Sequence, residues 1–294
     1  AKKSKLMTCL RNRRNYVLHY VTLKQVLKHG LKLVKINSAF SFSQKPFLKP
    51  FIELNIKLRQ EAKTKFHQTL IKLISNAIYG KLLESPLKQK NIQLATNSNQ
   101  ILKLIARVDF EDRTIFDEEL VAIHLRRTEI EFNRPLIVGF SALELFKVHM
   151  CTFHYDVMLK KYGPSNCKLF YMDTDSFIYE IFTDDWYEDM KKMADEWFDT
   201  SDFPTDHICY SLKNRKRMGV FKDETGGIGL SEFIGLKAKL YAYLVSSVLH
   251  MRAKGVPTNL LNNSVNFQIF KDVLFKKTVT YVTQRRIQSK KMEL

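Results

Sequence analysis

The chain has 294 residues, 45% of them apolar, and a net charge of +18, so it can bury a sizeable core and needs a partner or solvent for an excess of cations. No run reaches the 18 or so uncharged apolar residues of a membrane span, and no signal peptide opens it. Cys9, Cys151, Cys167 and Cys209 are far apart and form no C-x-x-C pair, which excludes a zinc knuckle or disulfide framework and points to a reducing, intracellular setting.

Charge is unevenly placed. Residues 1–90 hold 20 Lys+Arg against Glu53, Glu61 and Glu84, a net of +17; residues 91–246 hold 19 against 25, a net of −6; residues 247–294 hold 9 against 2, a net of +7. A dense cationic segment interleaved with aromatics fits a phosphate backbone better than a merely solvated surface or a membrane face, so nucleic acid is the expected partner and no membrane is. The chain opens AKKSK without a methionine, as expected of a piece of a longer product.

In chain order, 16–36 reads as a strand, a helix TLKQVLKHG stopped by Gly30, and a second strand. After Pro46 and Pro50, apolar positions Phe66, Leu70, Leu73, Ile74 and Ala77 recur at helical spacing, predicting one long helix or two short ones over 51–81. The polar, broken stretch 84–117 suggests a small subdomain, and LVAIHLRR with TEIEF alternates like a hairpin. Leu136 to Lys161 reads as a long helix ended by Tyr162-Gly163-Pro164, Asp184 to Phe198 as an acidic helix, and KLYAYLV as a central strand.

Two stretches carry candidate chemistry. In KLFYMDTDSFIYEI, 168–181, two strand-like runs meet at Asp173-Thr174-Asp175-Ser176. Turn chemistry explains Asp and Ser at such a tip; two carboxylates two residues apart on an extended segment also point to one side and can share a hard cation. In Lys72-Leu-Ile-Ser-Asn76-Ala-Ile-Tyr79-Gly80 the spacing i, i+4, i+7 puts an ammonium, an amide and a phenol on one helix face, suited to a triphosphate and a base or sugar. An ordinary amphipathic helix capped at Gly80 has the same pattern. Arg59 and Lys63 project opposite that face if the helix is continuous and qualify for a triphosphate role only if it breaks. His149 and His154 suit neither one helix face nor a metal.

Together, K-x-x-x-N-A-x-Y-G followed about ninety residues later by Y-M-D-T-D-S resembles motifs B and C of family B DNA polymerases, and most of all the protein-primed branch of phages, linear plasmids and Maverick/Polinton transposons. Gly219-Val-Phe-Lys222-Asp-Glu224 is similar to the segment that follows motif C in that family, and Lys239-Leu-Tyr241 to its K-x-Y element. The resemblance spans about residues 16 to 275. It implies an α+β right hand: 1–50 the end of an upstream insertion, 51–81 the fingers, 82–117 a small insertion, 118–245 the palm and 246–294 thumb. The implied activity is DNA-directed DNA polymerisation, with a primer 3′-hydroxyl attacking the α-phosphate of a dNTP at two Mg²⁺ ions. In these terms Asp175, with Asp173 beside it, is the catalytic metal ligand. Lys72, Asn76 and Tyr79 meet the dNTP, joined by Arg59 and Lys63 if the helix breaks, and Gly80, Lys222, Lys239 and Tyr241 meet primer and template. The implied partners are a DNA template-primer and, in this branch, a terminal protein as primer, acting in the nucleus or wherever the element or virus replicates.

The family's earlier motif D-x-x-S-L-Y-P, source of a further metal-binding carboxylate, is absent, and neither Asp nor Glu occurs before Glu53. The usual exonuclease domain is absent as well, and Ala77 stands where serine is usual. A two-metal site short of one carboxylate binds Mg²⁺ weakly, so this chain alone is expected to be inactive. A catalytically inactive, nucleic-acid-binding remnant is the alternative.

Overall fold

The structure, a computed structural model, describes residues 9, 11–88 and 90–281. The opening AKKSK and the last part of the expected thumb, 282–294, lie outside them. The chain is α+β with antiparallel sheets and divides into two units, 1–75 with 137–168 and 180–183, and 76–136 with 169–179 and 184–294.

In the first unit α1 (Tyr20–Lys28) starts where the His19 ring accepts the Val21 N–H and stops at Gly30, whose φ of +91° suits glycine. The strands expected on either side of it do not form; 16–18 and 31–36 are irregular. The bonds of α1 go instead to a second helical run, α5 (Leu136–Cys151) continued by a π-helical segment, 152–158. His19 N–H donates to Glu144, Gln25 Nε2 to the Val148 carbonyl and the Thr152 hydroxyl, and Lys28 pairs with Asp156 at 2.8 Å. Glu144 is 3% exposed and held ionised by Lys147 at 2.7 Å against its own burial. α6 (Leu159–Asn166) continues to the turn at Gly163, φ +75°. By length and composition the run 136–166 could cross a membrane, a test that core helices also pass.

The expected helical stretch 51–81 is two helices. α2 (Lys49–Glu61) ends at Ala62, which turns extended, and the Thr64 hydroxyl accepts the His67 N–H to start α3 (Lys65–Leu82). A hydroxyl just before a helix supplies one of its unpaired first-turn N–H groups with an acceptor.

The second unit starts within α3, at residue 76, and its first sheet is ordered β1-β3-β2, built from β1 (Asn91–Ala95), β2 (Phe110–Asp117) and β3 (Leu120–Leu125) and covered by α4 (Ser98–Ile105). Ala95, Leu104, Val121, Ile123 and Leu125 make its core. The expected hairpin of LVAIHLRR with TEIEF is replaced: β3 pairs with β1 and β2, and 128–132 is irregular. β3, buried at Val121, Ala122, Ile123 and Leu125, takes the central place, paired with β1 on one edge and β2 on the other. The sheet therefore crosses residue 117, where the insertion was expected to end.

The hairpin β4 (Cys167–Asp173) and β5 (Ser176–Ile181) follows, then α7 (Trp186–Trp197), capped by the Asp185 carboxylate. The segment 198–231 has no regular elements beyond a bridge between Phe198 and Phe221, so its polar groups are met by side chains. Asn214, 6% exposed, donates to the carbonyls of Ala194 and Phe198. Asp223 accepts from the Tyr187 hydroxyl, from Thr225 N–H and hydroxyl, and from Gly227 N–H. Gly227 has φ +91°, and a Cβ there would lie 3.0 Å from the His207 and Phe203 rings. A meander β6-β7-β8 ends the unit, β6 (Glu232–Lys237), β7 (Leu240–Val245) and β8 (Val248–Ala253), with KLYAYLV central as expected. α8 (Thr258–Ser264) and α9 (Phe267–Lys276) complete it, α9 placing Phe270 on Ile234 and Ala242.

Burial, then the Asp223 charge, push the Tyr187 phenol up to about 12. The folded state thus holds the proton more tightly than the unfolded chain, so this contribution is full below pH 10 and is lost as pH rises toward about 12. Tyr187→Phe is expected to cost roughly 1 kcal/mol at pH 7 and to flatten the fall of the urea midpoint between pH 10 and 12; equal slopes for both proteins would contradict the assignment.

Candidate active site

The tip of β4–β5 is a two-residue connection, Thr174-Asp175. Asp175 N–H donates to the Asp173 carbonyl at 2.6 Å and the Ser176 hydroxyl to the same carbonyl at 3.2 Å. Thr174 has φ +54°, unusual for a β-branched residue, a conformation that costs on the order of 1–3 kcal/mol. The turn is therefore made by the Asp173 backbone, while its carboxylate takes the Thr174 hydroxyl on Oδ1 at 3.5 Å. The other oxygen, Oδ2, takes Lys239, whose Nζ lies 2.5 Å away. Asp175 is exposed, and among the described residues its carboxylate has no partner.

Lys239 is delivered from the β6–β7 turn at φ +59°. Its N–H donates to the Tyr171 hydroxyl at 2.8 Å, and its carbonyl accepts from Lys254 N–H at 2.9 Å. Tyr171 and Asp173 are i and i+2 on one strand, so both side chains leave the same face. One holds the backbone of Lys239 and the other its ammonium. The hydrogen bond to Asp173 and that carboxylate's charge raise the pKa of Lys239. Tyr241 packs on Tyr171 with ring centroids 4.6 Å apart, and burial, then the neighbouring phenols, raise its own pKa. Phe233 lies 6.0 Å from Phe170 in a stacked pair and 6.1 Å from Tyr241.

Asp173, Asp175, Lys239 and Tyr241 lie in the second unit, and Lys239 reaches Asp173 directly. α3 runs from the first unit, which holds Lys72, into the second, which holds Asn76, Tyr79 and Gly80; all four are exposed. The helix runs through Gly80 to Leu82 rather than stopping there; at Gly80 a Cβ would meet nothing within 4 Å. The break at 62–64 meets the condition on Arg59 and Lys63: Arg59 is half-buried in the last turn of α2, and Lys63 is exposed in the break. Lys222 is held by an ion pair with Asp202, which lowers the Asp202 carboxyl. Tyr171 and Phe233 had no role in the sequence reading. The i, i+2 step from Tyr171 to Asp173 was the available signal.

Among the described residues no group of three or more His, Cys, Asp or Glu gathers to hold a metal. Magnesium takes one or two carboxylates and completes its shell with substrate phosphates and water. Asp173 and the exposed Asp175 are the two carboxylates of the tip that would hold one such ion, once Lys239 yields Asp173 Oδ2. The residues do not make a second, carboxylate-rich position.

A Cβ on Gly235, which pairs with Tyr241 in the ladder, would lie 3.1 Å from the Phe233 ring. Gly235→Ala is expected to push that ring off Tyr241 and destabilise the protein by about 1–3 kcal/mol. A denaturant titration checks it, and Gly235→Ala with Phe233→Leu should recover part of the loss.

Residues 1–133 match the family model described as DNA polymerase type B, organellar and viral. The matched part contains α2 and α3 and ends before the hairpin tip and the Lys239 turn. No curated protein and no solved structure matches the chain. The match supports a family B DNA polymerase origin for residues 1–133.

Proposed function

We propose that the chain is the fingers, palm and thumb portion of a DNA-directed DNA polymerase of the protein-primed branch, of mobile-element or viral origin. The observation that carries the proposal is the bond between Lys239 and Asp173. Two motifs 66 residues apart meet at one hairpin tip, as expected if one holds a primer end and the other the reacting phosphate.

Asp175 and Asp173 would hold Mg²⁺, which supplies a Lewis acid for the α-phosphate when bound. Lys239 and Tyr241 orient the primer terminus beside those carboxylates, through an ammonium for phosphate and a ring for base or sugar. On α3, Lys72 neutralises triphosphate charge, with Asn76 beside it and Tyr79 packing at the nascent pair. The 20 Lys+Arg of residues 1–90 supply the cationic face for the DNA backbone. A second reading, a DNA-binding remnant without catalysis, is favoured by the lack, among the described residues, of a third carboxylate gathered with Asp173 and Asp175.

Primer extension with Mg²⁺ and dNTPs, alongside binding to a labelled primer-template, tests both readings. Residues 1–294 are expected to bind DNA with an affinity that falls as salt rises and to extend no primer. Extension abolished by Asp175→Ala would establish a polymerase and refute the incompleteness of the site. Absence of DNA binding at low salt would remove the nucleic-acid reading.

A further inference from the structure

The meander β6-β7-β8 has two unlike faces. Strand alternation sends Ile234, Ala242 and their neighbours to α9 and sends Tyr241, Tyr243, His250 and Arg252 to the other side. Tyr243 stands opposite His250 and Tyr241 opposite Arg252. Their rings form a column. Tyr171 and Tyr241 are 4.6 Å apart and tilted at 49°, whereas Tyr241 and Tyr243 are stacked at 6.2 Å and 16°, and Tyr243 and His250 are stacked at 4.9 Å and 8°. The column starts at the residue that holds Lys239 and ends at His250, which is exposed, as is Arg252.

We propose that this ring column is a single-stranded DNA track, in which a nucleobase stacks on His250 and Arg252 takes the adjoining phosphate. Aligned rings with a cation beside them bind single strands without reading sequence, because every base has a stacking face. Lys239 and Asp173 pair with each other at the start of the column. Beyond them Arg252 stands opposite Tyr241 in the ladder, a cation beside the rings that suits a phosphate more than an apolar protein surface, with Glu224 acting on Tyr243. The α9 side of the sheet is filled by the core; on the aromatic side Phe170 and Tyr171 of β4 cover Phe233 and Tyr241, and His250 and Arg252 are left exposed.

The inference rests on DNA being the partner of this chain, and the test keeps the two apart. Fluorescence anisotropy of labelled oligo-dT and of a duplex of equal length is measured with the full chain, His250→Ala, Arg252→Ala and Tyr243→Leu, with circular dichroism to confirm folding. His250 and Arg252 are exposed, so their variants keep the test open if Tyr243→Leu fails to fold. His250→Ala is expected to weaken oligo-dT binding by about fivefold to a hundredfold and to leave duplex binding within about twofold. Arg252→Ala should reduce the single-strand salt slope by about 0.7. Oligo-dT affinity unchanged in both variants, or an equal loss on duplex, overturns the track while leaving DNA as partner. A parent chain that binds neither probe overturns both. Concentration-dependent self-association abolished by His250→Ala, with oligo-dT affinity unchanged, assigns the face to a second copy and overturns the track.

Discussion

The Asp173 carboxylate is held by an ammonium from a different part of the chain, and the arrangement of the candidate site follows from that contact. A two-residue turn would ordinarily spend an aspartate side chain on its own backbone. Here the backbone carbonyl of Asp173 accepts the bonds from Asp175 and Ser176, the side chain takes only a long one from the Thr174 hydroxyl, and Oδ2 is left for Lys239. Tyr171, two residues earlier on the same face, takes the Lys239 N–H. The K-x-Y turn is thus fixed at two points by one strand, which puts Tyr241 against Tyr171 and begins the ring column toward His250.

That arrangement also sets the electrostatics. Lys239 is a fixed cation where a divalent ion would otherwise neutralise Asp173, and Asp175 alone faces solvent unpaired. A carboxylate pair with one member already neutralised attracts a hard cation less than two free carboxylates do. Substrate phosphates or a further carboxylate would restore the balance. The strained Thr174 supports the same interpretation: backbone strain at a tip is retained where the surrounding structure over-determines it.

Away from the tip, polar side chains replace regular structure. The segment 198–231 has little ladder pairing, and Asp223 and Asn214 meet its backbone groups. Asp223 belongs to the acidic segment that the sequence aligned with polymerase chemistry, yet its oxygens are occupied by Tyr187, Thr225 and Gly227. Its part in the structure is to hold the loop that leads into β6.

Local pattern determined a good deal. The hairpin with its two aspartates, the acidic helix capped by Asp185, the central strand KLYAYLV and the helical spacing of Lys72, Asn76 and Tyr79 are all legible, because periodicity and capping act over a few residues. The strands expected around α1 and the partner of β3 were not. An apolar run takes the form its neighbours permit: 31–36 finds no strand beside it, whereas β3 finds two. Only the tertiary structure decided that Lys239 meets Asp173, that Tyr171 adjoins Tyr241 and that Tyr241, Tyr243 and His250 stack, because contacts across 66 residues depend on which strands pair, and that choice is made by burial of both faces at once rather than by any one segment.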